Sequence, residues 1–207
     1  MDCMSSARPI SASSDRSLRI WKVADQSHLV FRGHKSSIDN VRYITSESYL
    51  SCGQDGSLNL WKDSQKNPVA TEHAAHGVHS QGGNAQWLSS LATLNMSDLA
   101  ATGSSNGTIK LWDVSAEKRT LRCVNELQVE GFVNSLILTP NMVVAGCGAE
   151  HRLGRWWKIK GNRNKLITFR FDKSLAEINK QEEGEEGDVE ESDSDDNEDE
   201  ESEGSID

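Results

Sequence analysis

Missing from these 207 residues are the usual marks of a catalyst: G-x-S-x-G, a P-loop and H-E-x-x-H do not occur. Paired carboxylates crowd only the C-terminal stretch, where nothing desolvates them, so acid–base chemistry has no foothold. The chain therefore reads as no enzyme, with no cofactor and no small-molecule substrate. No run approaches 18 apolar residues, which excludes a membrane-spanning helix, and Met1-Asp-Cys-Met-Ser lacks a signal-peptide pattern. The cysteines Cys3, Cys52, Cys123 and Cys147 form no C-x-x-C pair. Cys52 and Cys147 fall in apolar runs and read as buried free thiols, which fits a soluble intracellular body in a reducing compartment. Lys and Arg are absent from Gln181 to Asp207, where 16 acidic residues stand. Residues 1–180 then hold 16 acids against all 22 bases, a net of +6. Such a segregated acidic block repels itself and cannot build a core, so residues 173–207 read as a disordered tail behind a basic folded body, 1–172.

What is present is a repeat. Four segments close on tryptophan: Ser-Asp-Arg-Ser-Leu-Arg-Ile-Trp21, Gln-Asp-Gly-Ser-Leu-Asn-Leu-Trp61, Ser-Asn-Gly-Thr-Ile-Lys-Leu-Trp112 and Ala-Glu-His-Arg-Leu-Gly-Arg-Trp156, at intervals of 40, 51 and 44 residues. A unit of about 40–45 residues with this signature and an upstream Gly33-His34 resembles a WD40 propeller blade. Each unit alternates apolar and polar residues over short runs separated by turn residues, which is strand chemistry. In the second unit the runs are Ser37–Ile44, Tyr49–Gly53 and Ser57–Trp61, with Asp55-Gly56 as a tight hairpin turn. Asn106-Gly107 repeats that turn in the third. The fourth is expected to run Phe132–Leu138, Met142–Gly146 and Leu153–Ile159, with Lys165–Phe171 as an outer strand.

Counting back from each tryptophan gives positions that in WD repeats form a hydrogen-bonded chain from indole to hydroxyl to imidazole to turn carboxylate. They are His34, Ser51, Asp55 and Trp61; then His76, Thr102, Asn106 and Trp112; then Ser11, Asp15 and Trp21 in the first unit. The fourth has Gly146, Glu150 and Trp156 and should lack a complete chain. The expected fold is all-β, an incomplete WD40 β-propeller of three and a half to four blades. Because the first unit has no room for its own first strand, the chain is expected to be a C-terminal piece, or a truncated product, of a longer protein.

Three further segments carry candidate chemistry. Residues 150–165 combine six Lys or Arg with adjacent Trp156 and Trp157, the ingredients for phosphate contact and base stacking, although a solvated strand edge has the same composition. His73, His76 and His79 have metal-like spacing but no accompanying cysteine or carboxylate, so a loop with no metal is expected. In the tail, Ser192 and Ser194 lie among acids that acid-directed kinases favour.

The strings Leu29–Asp39, Asp98–Ser104, Gly131–Leu136 and above all Glu150-His-Arg-Leu-Gly-Arg-Trp-Trp-Lys-Ile-Lys160 resemble the C-terminal half of the U3 small nucleolar RNA-interacting WD-repeat proteins. That resemblance implies a non-catalytic subunit of the U3 box C/D ribonucleoprotein. It would bind U3 snoRNA together with box C/D proteins, including the L7Ae-like kink-turn protein, for pre-18S rRNA processing in the nucleolus of the nucleus. Arg152, Arg155, Lys158, Lys160 and Arg163 would meet phosphates, with Trp157 as a stacking platform. The alternative is a WD40 scaffold that binds only proteins.

Overall fold

The computed structural model describes residues 1–5, 8–80 and 82–171, without the side chains of Arg155 and Trp156. Sixteen strands and no helix occur among the described residues. The acidic stretch with Ser192 and Ser194 lies outside them.

The strands run as antiparallel meanders. The first unit is β1 (Ile10–Ala12), β2 (Ser17–Lys22) and β3 (Ser27–Arg32); the second is β4 (Ile38–Tyr43), β5 (Ser48–Gly53), β6 (Leu58–Lys62) and β7 (Ala70–Glu72). The third is β8 (Leu88–Thr93), β9 (Leu99–Ser104), β10 (Thr108–Ser115) and β11 (Thr120–Gln128). In the fourth, β12 (Phe132–Thr139) and β13 (Met142–Gly148) are followed by β14 (Glu150–His151), β15 (Gly154–Lys158) and β16 (Lys165–Arg170). This is the architecture of WD40 blades.

Here the fourth unit departs from its expected layout. The run Leu153–Ile159 is not the third strand of its sheet: β13 pairs with β16, and β15, among the described residues, pairs with β14 in a separate two-stranded hairpin. Alternation decides the competition. Ile167, Phe169 and Phe171 present one apolar face, which packs against the cluster of Ala101, Ile109, Leu111, Val143 and Ala145. The competing segment is interrupted by charge on both faces and has no such stripe.

Three apolar clusters fill the spaces between successive sheets, and each follows one rule. One face of a unit carries an aromatic residue, tryptophan in the second and third units and Phe169 in the fourth, and meets the aliphatic face of the unit before it. Trp61, Tyr43 and Tyr49 pack on Ile10, Leu18, Ile20 and Phe31. Trp112 and Val114 pack with Leu50, Cys52, Leu58 and Leu60. Cys52 and Cys147 are buried free thiols, both shifted up by burial.

The turn before the tryptophan strand adopts the left-handed region in three units. Gly56 has φ 69° and Gly107 φ 79°, whereas the first unit places Arg16 there at φ 67°. A non-glycine residue in that region costs about 1–2 kcal/mol, partly offset by glycine's greater loss of chain entropy. Arg16→Gly should raise stability by about 0.5–1 kcal/mol in urea unfolding; a loss of stability would show that the turn is held by the Arg16 side chain instead.

Candidate nucleic-acid interface

The site begins with a missing hydroxyl. In each of the first three units the indole N–H donates to a hydroxyl ten residues earlier: Trp21 to Ser11 at 2.9 Å, Trp61 to Ser51 at 2.8 Å and Trp112 to Thr102 at 2.7 Å. Strand register identifies the fourth member of the series. Val41 faces Ser51, Leu91 faces Thr102 and Leu136 faces Ala145, so Ala145, not Gly146, occupies the hydroxyl position. Trp61 faces Tyr49, Trp112 faces Ala100 and Phe169 faces Val143, so Phe169 occupies the indole position. An apolar pair thus replaces a hydrogen-bonded one: with no N–H to satisfy, no acceptor is needed. The backbone of Trp156 sits in the hairpin, outside that sheet, and its side chain is outside the described residues.

The remaining members of the chain are joined as follows. His34 is 2.7 Å from the Ser51 hydroxyl through Nε2 and 3.0 Å from the Asp55 carboxylate through Nδ1. Burial opposes ionisation of Asp55, but the hydrogen bond and charge of His34 and the Ser57 hydroxyl outweigh it and hold the carboxyl well below its ordinary range. In the third unit Nε2 of His76 is 2.7 Å from Thr102 and Nδ1 is 2.6 Å from Thr108, whose hydroxyl donates to Asn106 at 2.7 Å. Among the described residues no carboxylate joins it, and burial together with Lys110 lowers the His76 pKa to about 3. In the first unit Asp15 accepts from Ser17 and Arg19 at 2.6 and 2.7 Å, and Trp21 remains 39% exposed.

Freed from the sheet, the β14–β15 hairpin is fixed by a feature common to three inner strands. Pairing slips by one residue between Ile38 and Asn40, between Leu88 and Ser90, and between Val133 and Ser135. The extra residues Asp39, Ser89 and Asn134 therefore recur at one level of the fold, each a β-bulge at the start of an inner strand. They tie neighbouring units together. Asn40 Nδ2 donates to the Ser89 carbonyl at 2.8 Å, and Ser89 Oγ donates to the Val133 carbonyl at 2.7 Å. Asn134 grips the hairpin, donating to the Glu150 carbonyl at 2.8 Å and accepting from the Arg152 N–H at 3.0 Å.

Aromatic rings complete the anchorage. The His151 ring stacks on Trp87 with centroids 3.9 Å apart, and Phe132 meets Trp157 edge-on at 5.1 Å. His79 approaches the same Trp157 ring at 5.7 Å. Trp87 donates its indole N–H to Asp39, and Arg152 Nη2 donates to the Asp39 carbonyl at 3.0 Å, returning the hairpin to the second unit. Burial pushes the Asp39 carboxyl up, against the Trp87 bond and the Arg152 charge. Burial likewise pushes His151 down, helped by Arg152.

The basic residues singled out by sequence fall into different roles. Arg152 is exposed, but its guanidinium is engaged by the Asp39 carbonyl, so it acts as a positioning group. Lys158 is 61% exposed and reaches Glu150 at 3.0 Å. Lys160 and Arg163 are exposed, Trp157 is partly exposed, and the Arg155 side chain lies outside the described residues. An open groove of about 600 Å³ lies beside them, lined by Asn134, Gly146, Gly148, Lys158, Asn162 and Arg163. Sequence reasoning missed Asp39, Trp87, Phe132 and Asn134. A signal was present, because the three bulge residues recur within one residue of the repeat's own spacing, but only register shows that they bulge.

Comparison with known proteins adds the following. The WD40 family (WD domain, G-beta repeat) matches residues 26–62 and 76–113. A Mus musculus protein named U3 small nucleolar RNA-interacting protein 2 is 44% identical over 146 residues, covering 69% of this chain and 31% of its own length. Among solved structures, U3-55K matches with a TM-score of 0.75 and 40% identity, covering 78% of this chain and 51% of its own. The RRP9 WD40 repeats match with a TM-score of 0.73 and 40% identity, covering 78% of this chain and 50% of their own. The chain therefore spans less than a third of the curated relative and about half of the solved chains.

Two predictions test the network. Ser51→Ala strands the His34 imidazole and the Trp61 indole in the interior and should cost about 3 kcal/mol in chemical unfolding, while Ser11→Ala, beneath a half-exposed indole, should cost under about 1. Equal losses at the two sites would refute the burial argument. His76 gives a pH dependence. Its folded pKa lies below the ordinary 6.5, so the unfolded chain binds a proton that the folded one refuses. Its contribution is complete above about pH 6.5 and is lost as the pH falls toward 3, at up to about 1.4 kcal/mol per unit. His76→Gln should flatten the stability slope between about pH 6.5 and 5 by most of that amount; an unchanged slope means that His76 takes up its proton without unfolding.

Proposed function

We propose, on the premise that this chain belongs to the WD40-repeat family and is homologous to the U3 small nucleolar RNA-interacting proteins, that it serves ribosome biogenesis as a non-catalytic docking subunit. In the finer reading it belongs to the U3 box C/D ribonucleoprotein, binds U3 snoRNA beside box C/D proteins including the kink-turn protein, and acts in pre-18S rRNA processing in the nucleolus.

The observation that carries this reading is the hairpin. The Glu150–Lys160 string leaves the sheet it was expected to complete and stands as a separate basic ribbon. The ribbon is clamped by Asn134, Trp87 and the Asp39 carbonyl, leaving Lys158, Lys160 and, in the following loop, Arg163 toward solvent beside an open groove. A cationic ribbon held on rigid strands suits a phosphodiester backbone, because the charges are positioned before the RNA arrives. The half-exposed Trp157 ring, braced by Phe132 and His79, adds a surface on which a base can stack. Relatives across animals, plants and fungi carry names in the same group: the yeast relative is named ribosomal RNA-processing protein 9.

Phosphate contacts impose a salt dependence of about 0.7 per contact on single strands. Replacing Lys158, Lys160 and Arg163 together by Ala should lower the slope of log affinity for a U3 RNA fragment against log salt by about 2. Circular dichroism should be unchanged, since none of the three is buried. An unchanged slope would remove these residues from the interface; partners retained after nuclease digestion, with no RNA affinity, would favour a purely protein-binding scaffold.

A further inference from the structure

The Trp157 ring has two aromatic neighbours of different kinds. Phe132 is fully buried and meets it edge-on, at 79° between the ring planes, as a fixed support from the core. His79 is only partly buried and is inclined at 44° with its ring centre 5.7 Å away, neither edge-on nor stacked. No hydrogen bond among the described residues uses the His79 imidazole. The histidine arrives by a route of its own. Trp61 and Trp112 stand 51 residues apart, against 40 and 44 for the other intervals, and the added length falls between β7 and β8. There Val78 pairs with Ala85, His79 N donates to the Asn84 carbonyl at 2.8 Å, and Gln86 N donates to the Gly77 carbonyl at 2.9 Å. Ala85 lies against Gly56 of the second unit, which fixes the base of the excursion. Farther out, a Cβ added to Gly82 or Gly83 would meet nothing within 4 Å, so packing does not hold that part. An insertion anchored at its base thus brings one unbonded ring beside the exposed tryptophan of the basic ribbon.

We propose that His79 and Trp157 are two jaws that take one unpaired RNA base between them, an inference that rests on the RNA reading above and narrows its ligand to single strands. A base held between two rings needs about 7 Å, two stacking steps of about 3.4 Å each. The free rings stand 5.7 Å apart, so turning the imidazole parallel and displacing it by about 1 Å admits the base. Only the histidine moves, because Phe132 holds the tryptophan from the core. The polar edge of the imidazole is then free to bond to the base or its ribose. Lysines alone would not select a single strand, since a duplex offers them a denser row of phosphates. A pair of jaws does select it, because a paired base can enter only by giving up its partner and its stack.

The test compares two probes on the 207-residue chain: end-labelled oligouridine, whose bases are little stacked, and the same strand annealed to oligoadenosine. Fluorescence anisotropy should show the single strand bound more tightly than the duplex. His79→Ala should weaken oligouridine by about fivefold or more, the low end of one lost stacking contact. Its duplex affinity and its salt slope on oligouridine should match the wild type, because the phosphate contacts and the fold are untouched. His79→Phe should keep the single-strand affinity, since a ring and not a charge is required. A wild type that binds the duplex as tightly as the single strand, a His79→Ala loss shared equally by both probes, or a Phe variant no better than the Ala variant would each overturn the two-jaw arrangement. Salt-dependent binding of both probes that ignores His79→Ala strikes the jaws and leaves the RNA reading standing. No binding of either probe by the wild type removes the RNA reading, and the jaws with it.

Discussion

One hydrogen bond governs how the units of this chain are built: the indole N–H given to a hydroxyl one strand away. A tryptophan buried between two sheets carries a donor that must be met, and a serine or threonine opposite it meets that demand without breaking the apolar surface. Where the hydroxyl exists, the tryptophan strand is held in third place and the histidine and turn residues assemble around the same oxygen. Where Ala145 stands instead, a tryptophan there would leave its N–H unmet, and Phe169 fills the space at no such cost. The basic hairpin follows from that substitution.

Two of the three hydrogen-bonded units also differ in charge. Around His34 an ionised carboxylate takes part, and Asp55 is held ionised by its partners despite its burial. Around His76 the same place is filled by Asn106 and Thr108, both neutral, and the imidazole stays neutral far below its ordinary range. Geometry is therefore shared while acid sensitivity is not. A carboxylate stabilises only above its own depressed pKa, whereas a buried neutral histidine begins to lose its contribution at mildly acidic pH.

The bulges give the hairpin its rigidity. An extra residue in an inner strand turns its side chain out of the ladder, and here that happens at the same height in three successive units. Ser89 uses this freedom to reach the next unit, and Asn134 uses it to hold the hairpin. Arg152 then carries the hairpin back to Asp39, so a segment excluded from its own sheet is fastened to the two preceding ones. A loop of that composition without such fastening would spend its binding energy on becoming ordered.

By itself the sequence determined the fold and the number of units. Period, strand alternation and turn residues such as Asp55-Gly56 are local properties, written wherever the chain has them. The series Ser11, Ser51 and Thr102 was legible for the same reason: it lies at a constant spacing from tryptophan. Extending that spacing to Gly146 failed, because which strand occupies third place is settled by competition between Trp156 and Phe169 strands for one set of partners. Such a competition is decided by packing against Ile109 and Leu111, far away in the chain: the alternation of Ile167, Phe169 and Phe171 is local, but what it packs against is not. The same holds for Asp39, Trp87 and Asn134: only tertiary structure, by aligning three bulged strands side by side, turned these scattered residues into the clamp of a single basic ribbon.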